Sequence, residues 1–167
     1  MAWTISPNKY SIYTDGGSRG NSSKPDEPAA WAFIVTKNGE KLGSKSDAMF
    51  GKTSNQMELT AILEALKLAN KLGEQVSIYT DSQLCIDSIT KWMFGWANKG
   101  WKKADGQTVK NQDILRLIYE EYDQAKHTFV KVKGHSGDHF NDLVDELVNL
   151  KMDELILNSE YSPLNLH

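Results

Sequence analysis

A chain of 167 residues, 40% hydrophobic and 25% charged, is long enough to bury one sizeable core and reads as a single globular domain. Its longest unbroken apolar run, Ala29 to Val35, falls far short of the roughly 20 residues that cross a bilayer, so no membrane partner is expected. The net charge of −3 counts mildly against a non-specific nucleic-acid binder.

In chain order, the first nine residues lack the apolar centre of an export signal. Lys9 to Asp15 alternates and is rich in β-formers, which predicts a strand stopping at Asp15-Gly16-Gly17. Residues 16–28 hold three glycines, two prolines and three serines, the composition of a loop. Two more strands are expected at Ala29–Thr36 and Lys41–Met49, joined where Asn38-Gly39 gives a strong hairpin signal. Thr53-Ser54-Asn55 supplies capping chemistry for a helix from about Gln56 to Leu72, where Ala61, Ile62, Ala65, Leu66, Ala69 and Leu72 recur at helical spacing until Gly73.

Val76–Thr80 predicts a buried strand, and Asp81-Ser82 opens a short helix to about Ile89. Cys85 within it is the single cysteine, which excludes an internal disulfide and suits a reducing cytoplasm. Between Leu84 and Ile86 it reads as a small buried hydrophobe rather than a reactive thiol. Trp92 to Gly106 is expected to be partly helical and carries Trp92, Trp96 and Trp101. A helix from about Asn111 to Gln124, a strand at Thr128–Val132, a loop at Lys133–Gly137 and a last helix to about Leu157 follow, with a loose tail over 158–167. Strands alternating with helices after an initial hairpin indicate an α/β domain, a mixed sheet covered by helices, with its core at about 9–157 and no domain boundary inside it.

Charge is unevenly spread along this order. Between Lys91 and Lys110 there are five lysines and one acid, Asp105, whereas from Asp138 to the end there are seven acids and one lysine, Lys151.

The one internal recurrence is Ser-Ile-Tyr-Thr-Asp, at 11–15 and again at 77–81. Side chains alternate along a strand, so Asp15 shares a face with Tyr13, and Asp81 with Tyr79. If the two strands are parallel neighbours, their aspartates stand side by side at the carboxyl ends, where open α/β sheets bind ligands. The plainer reading is that aspartate ends strands, starting a turn or capping a helix. Glu58 falls in the apolar stripe of its helix, where an unpaired carboxylate is costly. It would alternatively complete a capping box with Asn55 as N-cap. Asp145 sits among Leu143, Val144, Leu147 and Val148 with Asn141 one turn before, and by itself reads equally as a solvated acid. Several carboxylates share a small volume only if a cation neutralises them, and hard divalent ions prefer such oxygen ligands. Two such ions suit in-line displacement at phosphorus. No Cys/His cluster points to zinc.

These segments resemble the type 1 ribonuclease H family. The resemblance is ordered and covers about Lys9 to Leu157: Tyr13-Thr-Asp-Gly-Gly17, Thr53-Ser-Asn-Gln-Met-Glu-Leu59, Tyr79-Thr-Asp-Ser-Gln83, Trp92 through Asn111, and Lys133-Gly-His-Ser-Gly137 with Asp145 ten residues past His135. It implies a ribonuclease H-like fold, a five-stranded mixed sheet flanked by helices. It also implies a monomeric endonuclease that hydrolyses the RNA strand of RNA–DNA hybrids to 5′-phosphomonoesters, using two Mg²⁺ or Mn²⁺ ions per site.

Carried over by position, Asp15, Glu58, Asp81 and Asp145 resemble the metal-binding carboxylates, and His135 the loop histidine that assists proton transfer or product release. Lys99, Lys102 and Lys103, with Trp92, Trp96 and Trp101, resemble the basic protrusion that grips the DNA strand, although tryptophans also serve ordinary packing. Asn21, Asn55 and Gln83 resemble residues that read the minor groove, where the 2′-OH separates RNA from DNA. Thr53 and Asn111 resemble a phosphate pocket on the DNA strand. Ser54 departs from the asparagine many members carry, and the loop over 21–28 is longer and more acidic than usual. Two other readings stay open. Another nuclease of the same fold is disfavoured by the basic Trp-rich segment and the His135 loop. A catalytically silent hybrid-binding module is disfavoured by the four intact carboxylates.

Overall fold

The computed structural model describes residues 8–20, 24–133 and 139–160. Five strands, β1 (Tyr10–Ser18), β2 (Pro28–Lys37), β3 (Glu40–Phe50), β4 (Val76–Thr80) and β5 (His127–Lys131), form one sheet in the order β3-β2-β1-β4-β5. The first three pair antiparallel, while β4 runs parallel to β1 and β5 parallel to β4. This is the expected five-stranded mixed sheet. Its helices are α1 (Ser54–Leu72), α2 (Gln83–Asp87), α3 (Met93–Asn98), α4 (Gln112–Glu121) and α5 (His139–Glu160). Among the described residues no helix is long and apolar enough to cross a membrane.

β2 shows why the chain has three layers. Its run from Ala29 to Val35 is buried throughout, because alternate side chains enter two different cores. Trp31, Phe33 and Val35 join the larger core beneath α1, and Ala30, Ala32 and Ile34 pack against Val144, Val148 and Met152 of α5. The small residues in the second set let α5 lie close to the sheet. The hairpin between β2 and β3 turns at Asn38 (φ 53°) and Gly39 (φ 86°), the two left-handed residues that an Asn-Gly type I′ turn requires.

Three details differ from the local expectations. β1 does not stop at Asp15: Gly16, Gly17 and Ser18 stay paired with Trp31, Ala30 and Ala29, so Asp15 lies inside a strand. The partner strand supplies ladder bonds that glycine's weak strand preference does not reveal. The N-cap of α1 is Thr53, and its capping box is closed by the Gln56 side chain. Asn55 and Glu58 are therefore free of capping. Beyond α2 the chain widens into a π-helical turn at Ser88–Trp92 before α3. Cys85, Ile89 and Met93, four residues apart and fully buried, would drift around an α-helix at about 100° per residue. The wider turn keeps all three on the core side.

After α3 the basic segment folds back on itself. Lys102 bridges Thr108, and the Lys103 N–H donates to the Gln107 carbonyl at 2.7 Å. Trp101 anchors it from the inside, 7% exposed and with a left-handed φ of 64°. That conformation costs a non-glycine residue about 1–3 kcal/mol. The Trp101 N–H to Trp96 carbonyl bond (2.8 Å), the Tyr119 ring packed edge-on and the Arg116 guanidinium over the indole hold it in place.

Candidate active site

The repeated pentapeptides lie side by side in register, Ser11 opposite Ser77, Ile12 opposite Ile78 and Tyr13 opposite Tyr79. The two tyrosine rings stack at 4.4 Å. The buried Thr14 hydroxyl donates to the Tyr79 carbonyl at 2.8 Å, and Thr80 Oγ1 accepts the Ser82 N–H at 3.2 Å. Both threonines thus fix the backbone beside Asp15, inside β1, and beside Asp81, just past β4.

The acids approach from two layers. Tyr13 belongs to the core beneath α5, and a Cβ on Gly17 would meet Val148 of α5 at 3.4 Å. Asp15, between them in the alternation, faces the same side. Gly16 faces the other side, where a Cβ would fall 2.3 Å from the α1 backbone at Met57 and Glu58. Only glycine permits that approach, which sets Glu58 against the end of β1. Asp81 lies just past the end of β4.

Electrostatics follow this arrangement. Burial foremost, and then the Asp81 charge, push the Asp15 carboxyl from its ordinary 3.8 up to about 8. The Gly16 N–H opposes the shift, whereas Asp145 adds to it by its charge and by a hydrogen bond between the two carboxyls. Glu58 is also raised, by burial first and by Asp81, against hydrogen bonds from Ser82 and Cys85 that favour its ionised form. Asp81 is thus the link, felt by Asp15 on one side and Glu58 on the other. Among the described residues no three acid, histidine or cysteine side chains already stand as an ion cage.

The donor set nevertheless fits a hard divalent cation. Its members are carboxylates, and for Asp15 and Glu58 burial and then the Asp81 charge make ionisation unfavourable, a penalty that a cation would reverse. The nearby Cys85 thiol is pushed up to about 12, by burial first, so it keeps its proton and adds no soft ligand.

Other sequence-predicted residues surround this point or extend from it. Thr53 Oγ1 accepts the Gln56 N–H at 3.1 Å. Asn55 sits in the first turn of α1, and Gln83 begins α2 with its amide donating to Asp87 at 2.9 Å. Trp92 is 43% exposed and tilts against the half-buried Trp96, ring centroids 6.0 Å apart. Lys99, Lys102 and Lys103 are exposed, while Trp101 is in the core. Asn111 holds the N-cap position of α4 in a left-handed conformation and makes no side-chain cap bond. Asn21 and His135 lie outside the described residues.

Sequence reasoning assigned nothing to Ser82, Gly16 or the Cys85 thiol as a polar group. Ser82 and Cys85 were findable in principle, since both follow Asp81 within one helical turn.

The comparisons with known proteins agree with one another. The RNase H family model matches residues 7–152. The chain is 41% identical over 144 residues to the ribonuclease H of Hydrogenovibrio crunogenus, covering 86% of this chain and 95% of that one. It is 39% identical over 143 residues to the ribonuclease HI of Haemophilus influenzae, covering 84% and 88%. The solution structure of the PFV RNase H domain superposes with a TM-score of 0.77 at 21% identity, over 89% of this chain and 97% of that one, a likeness of fold. The crystal structure of LC11-RNase H1 in complex with RNA/DNA hybrid aligns at 27% identity and a TM-score of 0.61, over 89% and 99%. The chain belongs to the RNase H family, whose members hydrolyse the RNA strand of RNA–DNA hybrids.

Proposed function

We propose that this chain cleaves the RNA strand of hybrids with two hard divalent cations, Mg²⁺ or Mn²⁺, held by Asp15, Glu58, Asp81 and Asp145. The observation that carries this reading is the Asp15 carboxyl, pushed up to about 8 by burial and by its acidic neighbours where β1 runs past the end of the parallel β4. Bound there, the ions would supply charge to activate a water and steady the departing oxygen. The chain's own part is orientation: Asp15 and Asp145 approach from the α5 side, Glu58 from the α1 side, and Asp81 between them. The water oxygen bonds to phosphorus as the bond to the 3′ oxygen breaks, leaving a 5′-phosphomonoester and a 3′-hydroxyl. His135 is assigned to moving the proton or releasing product. His135→Ala should slow turnover without abolishing it.

Substrate binding is assigned to the surface running from Asn55 and Gln83, with Asn21, toward Trp92, Trp96 and the lysines at 99, 102 and 103. Thr53 and Asn111 suit a phosphate: the Thr53 oxygen accepts the cap bond and leaves its O–H to donate, and the Asn111 amide is not used for capping. Trp101 supports this surface from within. The chain is read as a cytoplasmic monomer, on the strength of its lone buried cysteine for the compartment.

The test is cleavage of labelled RNA–DNA hybrid, duplex RNA, duplex DNA and single strands, with Mg²⁺ and with excess chelator. Only the RNA strand of the hybrid should be cut, and only with the ion. Equal cutting of duplex DNA would favour another nuclease of the same fold. Hybrid binding without cleavage would favour a silent binding module.

A further inference from the structure

Cys85 is fully buried in α2, and its sulfur touches two polar atoms of α1: Asn55 Oδ1 at 3.5 Å and Glu58 Oε2 at 3.7 Å. Asn55 and Glu58 are three residues apart, so they lie on one helical face and a single group can meet both. The backbone that carries the sulfur is itself held in place, because Ser82 Oγ caps α2 by accepting the Cys85 N–H at 3.1 Å. An apolar side chain of the same size would fill the same buried space equally well. A protonated thiol adds one thing, a weak donor facing two acceptors.

We propose that Cys85 is a positioning residue whose S–H, shared between Glu58 and Asn55, orients the carboxylate for a divalent cation and the amide for the hybrid. The proposal rests on the reading of Glu58 as a metal-holding residue and Asn55 as a groove contact. It makes the thiol, beside the Ser82 hydroxyl that also bonds Glu58, a tie between the metal-holding acids and the substrate surface. Partners that orient a ligand in this way commonly change metal affinity by about 10–100-fold when removed. A thiol is a weak donor, so the effect belongs at the low end of that range.

The test compares Cys85→Val with Cys85→Thr, two variants of one branched shape that differ in a single hydroxyl donor. Mn²⁺ alone, without substrate, is titrated against each and followed by the paramagnetic resonance of the free ion. Cys85→Val should bind Mn²⁺ about tenfold more weakly and raise KM for the hybrid, and Cys85→Thr should recover most of both losses. Wild-type Mn²⁺ binding and KM in the valine variant would overturn the proposal, as would equal losses in both variants. A second measurement needs no metal. The chain has one cysteine, so the infrared S–H stretching band belongs to Cys85 alone. It should lie at the lowered frequency of a bonded thiol and rise in Glu58→Ala; a band at the free-thiol position in wild type overturns the proposal outright. If Glu58→Gln leaves Mn²⁺ affinity unchanged while that band is lowered, the metal role of Glu58 fails, and the tie to the cation with it.

Discussion

Tyr13 and Tyr79 stack nearly parallel, ring centroids 4.4 Å apart and planes 12° from coplanar. They are the same residue of the same pentapeptide, and the register that pairs them carries Asp15 and Asp81 to one level of the sheet. Placing two carboxylates there is unfavourable. An aromatic pair contributes about 0.5–1.5 kcal/mol beyond the area it buries, and so offsets part of that repulsion.

If the acids repel one another to hold an ion, neutralising one should cost activity and gain stability. Asp15→Asn and Asp81→Asn are each expected to lose hybrid cleavage by more than about a thousandfold, while melting at a higher temperature than wild type in chelator. Cleavage assays beside circular-dichroism melts check this. A variant with full activity would remove its aspartate from the mechanism.

Stability in chelator should depend on pH in a way that isolates Asp15. Its carboxyl holds a proton up to about 8 in the folded chain but only to 3.8 ordinarily. Its contribution is therefore complete below 3.8 and is lost as pH rises toward 8. Glu58 shifts in the same direction. His127 runs the other way: burial lowers it from 6.5, so its contribution is complete above 6.5 and is lost as pH falls through that value. From about pH 6.5 to 8 wild type should lose on the order of 1 kcal/mol per pH unit, and Asp15→Asn should show a much shallower slope. Denaturant titrations at several pH values give the comparison; parallel slopes would mean that Asp15 ionises normally.

Gly16→Ala tests how Glu58 is placed. A Cβ there would sit 2.3 Å from backbone atoms of Met57 and Glu58, which no side-chain rotation relieves. A loss of about 1–3 kcal/mol is expected, together with weakened Mn²⁺ binding at temperatures where the variant remains folded. An unchanged melting temperature would show that α1 yields freely.

The basic segment is tested by salt. Changing Lys99, Lys102 and Lys103 to Ala should raise KM for the hybrid and flatten its dependence on salt by about 0.9 in the log–log slope for each phosphate contact removed. The metal dependence of kcat should not move. A wild-type slope would place the hybrid on another surface.

Much of this protein was legible along the chain. Hairpin turn, helix periodicity and strand alternation are local, and Asn38-Gly39, the apolar stripe of α1 and the two Ser-Ile-Tyr-Thr-Asp strands were each determined by residues within a few positions of one another. The family resemblance rested on the same short segments, and the comparisons bear it out. What the chain alone did not decide depends on distant partners. Asp15 became an interior strand residue because Ala29–Trp31 continue the ladder past it, and Glu58 was released from capping because Gln56 closes the box on Thr53. Trp101 turned inward because Tyr119 and Arg116, on another helix, wait for it. Cys85, read correctly as buried, proved to face Asn55 and Glu58 across an inter-helix contact that no local pattern encodes. Local sequence determined that Asp15 and Asp81 repeat one strand pattern and that Glu58 interrupts the apolar stripe. Only the packing of α1 and α5 on opposite faces of the sheet decided that they meet at Asp81, because that meeting is set by strand order and close approach, both non-local.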